Sequence, residues 1–262
     1  MLKVTATNAK NDTIQLTQSA TYQLVSISGI NPPTANIATV ALATGDGSSF
    51  NYAKLPQRNI VLTIQPLGDI ETLRTALYPY FTPKAKIRLD FFTKTRSVYI
   101  DGYVESCEID YNANPQLMQV SVICPQPYFK DQVLTSIDLD MSNANTINNT
   151  CDVPLGVEFE ITATSAISQL RINNALTIAE PDQLFVLTDL PVISGDKIMI
   201  DTVVGQKSVK RSSGGTITSL LKYLVVSSDW ITLAVGNNSI TVNLNGGSAT
   251  GKIKFRKLYA GL

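Results

Sequence analysis

The sequence predicts a mainly β protein in two parts: a β-rich domain carrying one short helix, then an antiparallel β-sandwich. Three observations carry this. From Arg58 to Val122, apolar and polar residues alternate with the period of half-buried strands, interrupted by one helical stripe. Beyond Val153, short apolar runs recur with Gly, Asn, Asp or Pro in nearly every gap. Between the two lies a polar, asparagine-rich stretch of linker composition. The expected divisions are 1–136 for the first domain, 137–152 for the linker and 153–262 for the sandwich.

The elements follow in order. Ile60, Leu62 and Ile64 point one way in the strand after Arg58, and Pro66 with Gly68 ends it. Asp69 can cap a helix whose apolar stripe is Ile70, Leu73 and Leu77, and Pro79 stops it. Ala85, Ile87, Leu89 and Phe91 then share one strand face, opposite Lys84, Lys86, Arg88 and Asp90. The partner strand sets Val98, Ile100, Gly102 and Val104 against Tyr99, Asp101, Tyr103 and Glu105, and the short connection Thr93–Arg96 makes a hairpin. Met118, Val120 and Val122 mark a last strand before Pro125 and Pro127. In the second part the apolar runs are 157–161, 169–172, 184–187, 197–201, 230–235, 239–244 and 252–258. The stretch 218–226 reads as either a short helix or a strand.

Composition narrows the function. The chain has 262 residues, 21 basic and 21 acidic. The first 135 residues hold 11 basic and 10 acidic side chains, which leaves 10 and 11 for the rest, so neither part is an electrostatic nucleic-acid binder. Only 16% of residues are charged, a balance that suits permanent packing against other subunits, because amides and hydroxyls cost less to desolvate than charges. Cys107, Cys124 and Cys151 are too few and too dispersed for a disulfide framework or a metal pair and read as reduced core thiols. The N-terminus lacks the apolar core of a signal peptide, and no apolar run approaches the length of a membrane span, so the expectation is synthesis in the cytoplasm without membrane insertion.

Candidates for chemistry are sparse. Without histidine, a Ser-His-Asp triad, a Cys-His pair and a His-ligated zinc site are excluded. Glu105 with Asp101, or Glu158 with Glu160, could pair carboxylates on one strand face, although a solvated face or interface rim explains them as well. Gly246–Lys252 opens like a phosphate-binding loop, but Ile253 stands where a hydroxyl should hold magnesium and a strand pattern follows, so it reads as a hairpin turn. Trp230 either packs or offers its face to a sugar, and the alternation around it leaves both readings open. No catalytic residue, metal site or cofactor is expected.

Several segments, in this order, resemble the distal tail proteins of long-tailed bacteriophages. They are Gly29–Ala35, Asp46–Asn51, Arg58–Leu62, Ile70–Tyr78, Tyr99–Ser106 and the ending Cys124–Phe129, then Gly205–Val209, Trp230–Asn238 and Leu258–Leu262. The resemblance implies a structural protein at the distal end of the virion tail, built of an N-terminal ring-forming domain and a galectin-like C-terminal sandwich. It further implies a homo-hexamer stacked between the tail-tube protein and the tail-associated hub protein, with DNA passing through the bore without specific binding. Receptor-binding or other baseplate proteins would dock on the sandwich. The alternative is a glycan-binding adhesin of the tail tip acting through that sandwich, with Trp230 as its surface. The polar, glycine-led segment from Gly45 to Arg58 is the candidate assembly interface, with Phe50 and Tyr52 as apolar anchors and Arg58 at its end; a solvated hairpin loop is the simpler reading.

Overall fold

The computed structural model describes residues 2–110, 114–176 and 181–262. The chain folds as two compact units, Met1–Gln132 with Tyr259–Leu262, and Val133–Leu258. The first unit contains β1 (Lys3–Asn8), β2 (Thr13–Gln15), β3 (Tyr22–Ser28), β4 (Asn36–Ala41), β5 (Ser48–Lys54) and β6 (Arg58–Pro66). After α1 (Ile70–Leu77) come β7 (Lys86–Phe92), β8 (Ser97–Asp110), β9 (Leu117–Cys124) and β10 (Phe129–Asp131).

The main sheet of this unit runs β2-β1-β7-β8-β9-β6-β3, and its neighbours are antiparallel. Alternation decides what it buries. Ile60, Leu62 and Ile64 of β6 lie opposite Val122, Val120 and Met118 of β9, and all six are fully buried. Each such side chain contributes about 1.5–3 kcal/mol relative to exposure. Ile87, Leu89 and Phe91 of β7 join Val98, Ile100 and Val104 of β8 in the same core. Gly102 sits on that buried face of β8 because nothing larger fits, since a Cβ there would lie 2.6 Å from Val122 and 2.9 Å from the Cys124 sulfur. The helix starts where expected: the Asp69 carboxylate accepts the Thr72 backbone N–H at 3.0 Å. Leu77 is buried, and the Tyr22 hydroxyl donates to the Leu73 carbonyl at 2.8 Å.

The second unit is a sandwich. Its elements are β11 (Thr135–Leu139), β12 (Asn145–Asn149), β13 (Leu155–Gly156), β14 (Glu158–Ala163), β15 (Gln169–Ala175), β16 (Gln183–Leu187) and β17 (Lys197–Asp201). They continue with β18 (Ser208–Ser213), β19 (Thr216–Ser219), a 3-10 turn at Leu221–Tyr223, β20 (Thr232–Leu233), β21 (Gly236–Asn245) and β22 (Ala249–Phe255), whereas the last strand, β23 (Leu258–Tyr259), pairs with β10. One sheet runs β11-β22-β14-β17-β18-β19 and the other β12-β21-β15-β16. A single apolar core, including Phe159, Ile161, Ile172, Phe185, Ile200, Ile240 and Ile253, draws on both.

Three expectations need correction. Residues 137–152 are not a linker, because β11 and β12 are strands of the two sheets, with Ile147 and Cys151 in the core. Its asparagines bond the backbone instead of solvating it: Asn145 Oδ1 accepts from the Asp140 N–H at 2.7 Å, and Asn149 Nδ2 donates to the Leu233 carbonyl at 3.0 Å. The end of the chain, Tyr259–Leu262, belongs to the first unit instead of the sandwich. Gly246 and Gly247 do not turn a hairpin; they link β21 of one sheet to β22 of the other. Gly247 passes so close to Ala166 that a Cβ would lie 2.3 Å from its carbonyl oxygen.

Candidate assembly site

Among the described residues β4 and β5 pair only with each other, and the register between them shifts once, leaving Asn51 as an extra residue. Every residue of β5 is exposed. The exposed side chains are nevertheless apolar: Ile37 at 64%, Val40 at 59%, Leu42 at 50%, Phe50 at 64% and Tyr52 at 50%. An isolated two-stranded hairpin is marginal in water, and large apolar side chains are left bare on this one. Lys54 lies over the Tyr52 ring at 5.2 Å and is the only cation of either strand.

The root of this hairpin is as fixed as its blade is bare. Gly29 adopts φ +79° and lies so close to β6 that a Cβ would sit 2.0 Å from the Asn59 carbonyl oxygen, so only glycine fits. The chain leaves the hairpin at Arg58, which is 3% exposed. Its Nε donates to the Pro127 carbonyl at 2.7 Å, and Nη1 donates to those of Gly29 at 2.5 Å and Asn31 at 2.8 Å. Nη2 donates to Ala260 at 2.5 Å, and the guanidinium rests on the Phe129 ring at 4.6 Å. The C-terminal residues complete the root, with the Leu262 N–H donating to the Ile30 carbonyl at 3.1 Å. Arg96 donates to the Gly261 carbonyl and stacks on Tyr259 at 4.3 Å.

The three residues expected to act together therefore separate. Phe50 and Tyr52 share the exposed strand, whereas Arg58 is an internal tie of the first unit and has no face to offer a neighbour. Ile37, Val40 and Leu42 went unread as part of this surface, although the β-branched run 36–42 ahead of Gly45 was the signal that could have found them.

Trp230 is half-buried against Phe185, with ring centroids 5.7 Å apart and tilted by 58°. Lys207 Nζ lies 5.4 Å from its ring. The neighbouring Ile231 and Leu233 are in the core, which settles the face of this segment that packs, while Val235 is 55% exposed. Of the four carboxylates considered for catalysis, Glu158 is exposed and the other three are otherwise engaged. Lys130 reaches Asp101 at 3.1 Å, Ser121 donates to Glu105 at 2.7 Å, and Glu160 is held by Lys197 and Lys254. Burial pushes the Cys107 thiol up to about 11 and the Cys124 thiol up to about 12, which leaves both protonated and unreactive at neutral pH.

The chain thus presents two mainly β units and an exposed apolar hairpin. Residues 150–259 match the family model of the siphovirus-type tail component, C-terminal domain. That match covers most of the second unit. The crystal structure of SPP1 Dit (gp 19.1), described as a paradigm of the hub adsorption apparatus in phages infecting Gram-positive bacteria, superposes with a TM-score of 0.72 at 12% identity, covering 97% of this chain and 98% of that one. A chain of the phage P2 baseplate in its activated conformation with Ca gives a TM-score of 0.56 at 11% identity, again covering 97% and 98%. The phage p2 baseplate with Sr gives 0.54 at 11% identity and the same coverage. No curated protein matches the sequence. The chain thus has the fold of a phage distal tail protein, and the resemblance read from its sequence is borne out.

Proposed function

We propose that this protein is the ring component of a phage tail tip, a homo-hexamer that joins the tail-tube protein to the tail-associated hub protein. The observation that carries the reading is the hairpin β4–β5, whose exposed apolar side chains sit on a root fixed by Gly29 and Arg58. A rigid root with an uncovered apolar blade suits a heterologous contact, in which one patch on each subunit meets a different patch on the next, and such contacts close into a ring when the rotation per subunit divides a full turn. The protein therefore stands at the distal end of the virion tail after synthesis in the host cytoplasm, and DNA passes its bore without specific contacts. The sandwich serves as a docking module for receptor-binding or other baseplate proteins. Against its use as a glycan platform stands Trp230, which is packed on Phe185 and overlaid by Lys207.

Replacing Phe50 and Tyr52 together with serine tests the assembly role. Sedimentation is expected to show loss of the oligomer, while the unfolding curve of the monomer stays within ~0.5 kcal/mol of the parent, because exposed positions contribute little to folding. Unchanged assembly would remove the hairpin from the interface.

A further inference from the structure

β19 is the outer strand of the six-stranded sheet, and apart from its shortness, four residues, it carries no charge, proline or bulge to protect that edge. Its residues Thr216–Ser219 are all exposed, uncharged and free of proline, and they pair with β18 without a bulge. The Leu220 N–H donates to the Val209 carbonyl at 2.9 Å. That bond sets the alternation of the ladder, so Thr216 and Thr218 turn their backbone groups toward β18 while Ile217 and Ser219 turn theirs outward. The Ile217 side chain, 63% exposed, stands on the same sheet face as Lys210.

The other edges of the sandwich differ. β16 is covered by the segment 225–229: the Val225 N–H donates to Val186 at 3.0 Å, the Asp229 N–H donates to Leu184 at 2.8 Å, and the Ser228 hydroxyl accepts from the Val186 N–H at 3.1 Å. β11 carries Asp138, paired with Lys252 at 3.0 Å, and β12 is mostly asparagine. The charge around β19 is also one-sided. From Thr202 to Ser228 the sequence contains Lys207, Lys210, Arg211 and Lys222 and no acidic residue, in a chain whose net charge is zero. Arg211 is neutralised by Asp196 at 2.7 Å, and Lys210 and Lys222 remain exposed.

We propose that β19 is an acceptor edge for an extended acidic segment of another protein, which adds to the sheet as a further strand. The backbone groups of Ile217 and Ser219 supply the pairing, Ile217 supplies an apolar contact, and Lys210 and Lys222 select acidic side chains. This surface lies in the sandwich and is independent of the ring.

The test is amide hydrogen exchange on the full chain with a synthetic peptide of alternating glutamate and valine, and with its lysine–valine counterpart as control. The acidic peptide is expected to slow exchange at Ile217 and Ser219 by about tenfold or more and to leave Thr216 and Thr218, already bonded to β18, unchanged. Ile217→Pro removes the outward N–H and the apolar side chain but no hydrogen bond to β18, and is expected to abolish the effect while the Thr218 amide stays protected, which reports that the strand still folds. Lys210→Glu is expected to weaken the peptide by about fivefold. Unchanged exchange at Ile217 and Ser219, equal action of the two peptides, or full binding by Ile217→Pro would overturn the proposal. Concentration-dependent protection of these amides without peptide would overturn it too, by showing that the edge serves a second copy of the chain.

Discussion

Arg58 carries a buried positive charge satisfied by four carbonyl oxygens drawn from 29 to 260 in the sequence. Removing it leaves those acceptors dry, so Arg58→Ala is expected to destabilise the first unit by about 3 kcal/mol. Arg58→Lys is expected to recover little of this, because a single ammonium cannot replace the fork of the guanidinium or its stacking on Phe129. Chemical denaturation followed separately in the two units is the measurement, and the transition of the sandwich should stay in place. Gly29→Ala is expected to cost more than the ~1 kcal/mol of left-handed backbone alone, since the added Cβ meets the Asn59 carbonyl. At this scale the sequence was only partly legible. Arg58 opens a strand and reads as exposed, and its burial depends on Pro127 and Ala260, partners that no local pattern reveals. Trp230 was undecidable for a similar reason, since Phe185 and Lys207 reach it from other segments.

Among the elements, β6, α1, β7, β8 and β9 were readable because each has one buried face and a local stop: alternation in the strands, and a stripe from Ile70 to Leu77 between Asp69 and Pro79 in the helix. The asparagine-rich strand β12 was not, because its Asn145 and Asn149 side chains bond carbonyls brought in by other strands. The segment 45–58 was legible as polar and glycine-led, but the strands β4 and β5 and their separation from the main sheet were not, since a strand lacking a buried face gives no pattern to read. Two carboxylates hold the sheet β14–β17–β18 together across its strands. Hydrogen bonds from Lys197 and Lys254 keep the Glu160 carboxyl below the usual carboxylate range. Burial works against ionised Asp196, yet the Ile193 N–H, Ser213 and Arg211 outweigh it and hold that carboxyl down as well. A depressed carboxyl stabilises the fold above its unfolded pKa, and that contribution disappears as protons bind. The sandwich should therefore keep full stability from pH 7 to roughly 5 and lose it progressively below about pH 4. Thermal melts across this range check it, and in Glu160→Gln the acid loss is expected to be shallower.

On the scale of the whole molecule, two units of about equal size are built on separate cores, and the C-terminal residues return to complete the first. Absence of histidine removes the side chain that ordinarily titrates between pH 5 and 8, so assembly should be flat across that interval. The division into a β-rich first part and a sandwich was visible in the spacing of apolar runs, whereas the return of the tail was not, because four terminal residues carry no periodicity. The measurement that bears most directly on the central claim is the mass and projection shape of the purified chain, by sedimentation and electron microscopy, compared with the Phe50→Ser/Tyr52→Ser variant and with intact tails. A closed six-membered ring for the parent and a folded monomer for the variant are the predicted results. A strictly monomeric parent at every concentration, with no ring of this protein in intact tails, would contradict the account.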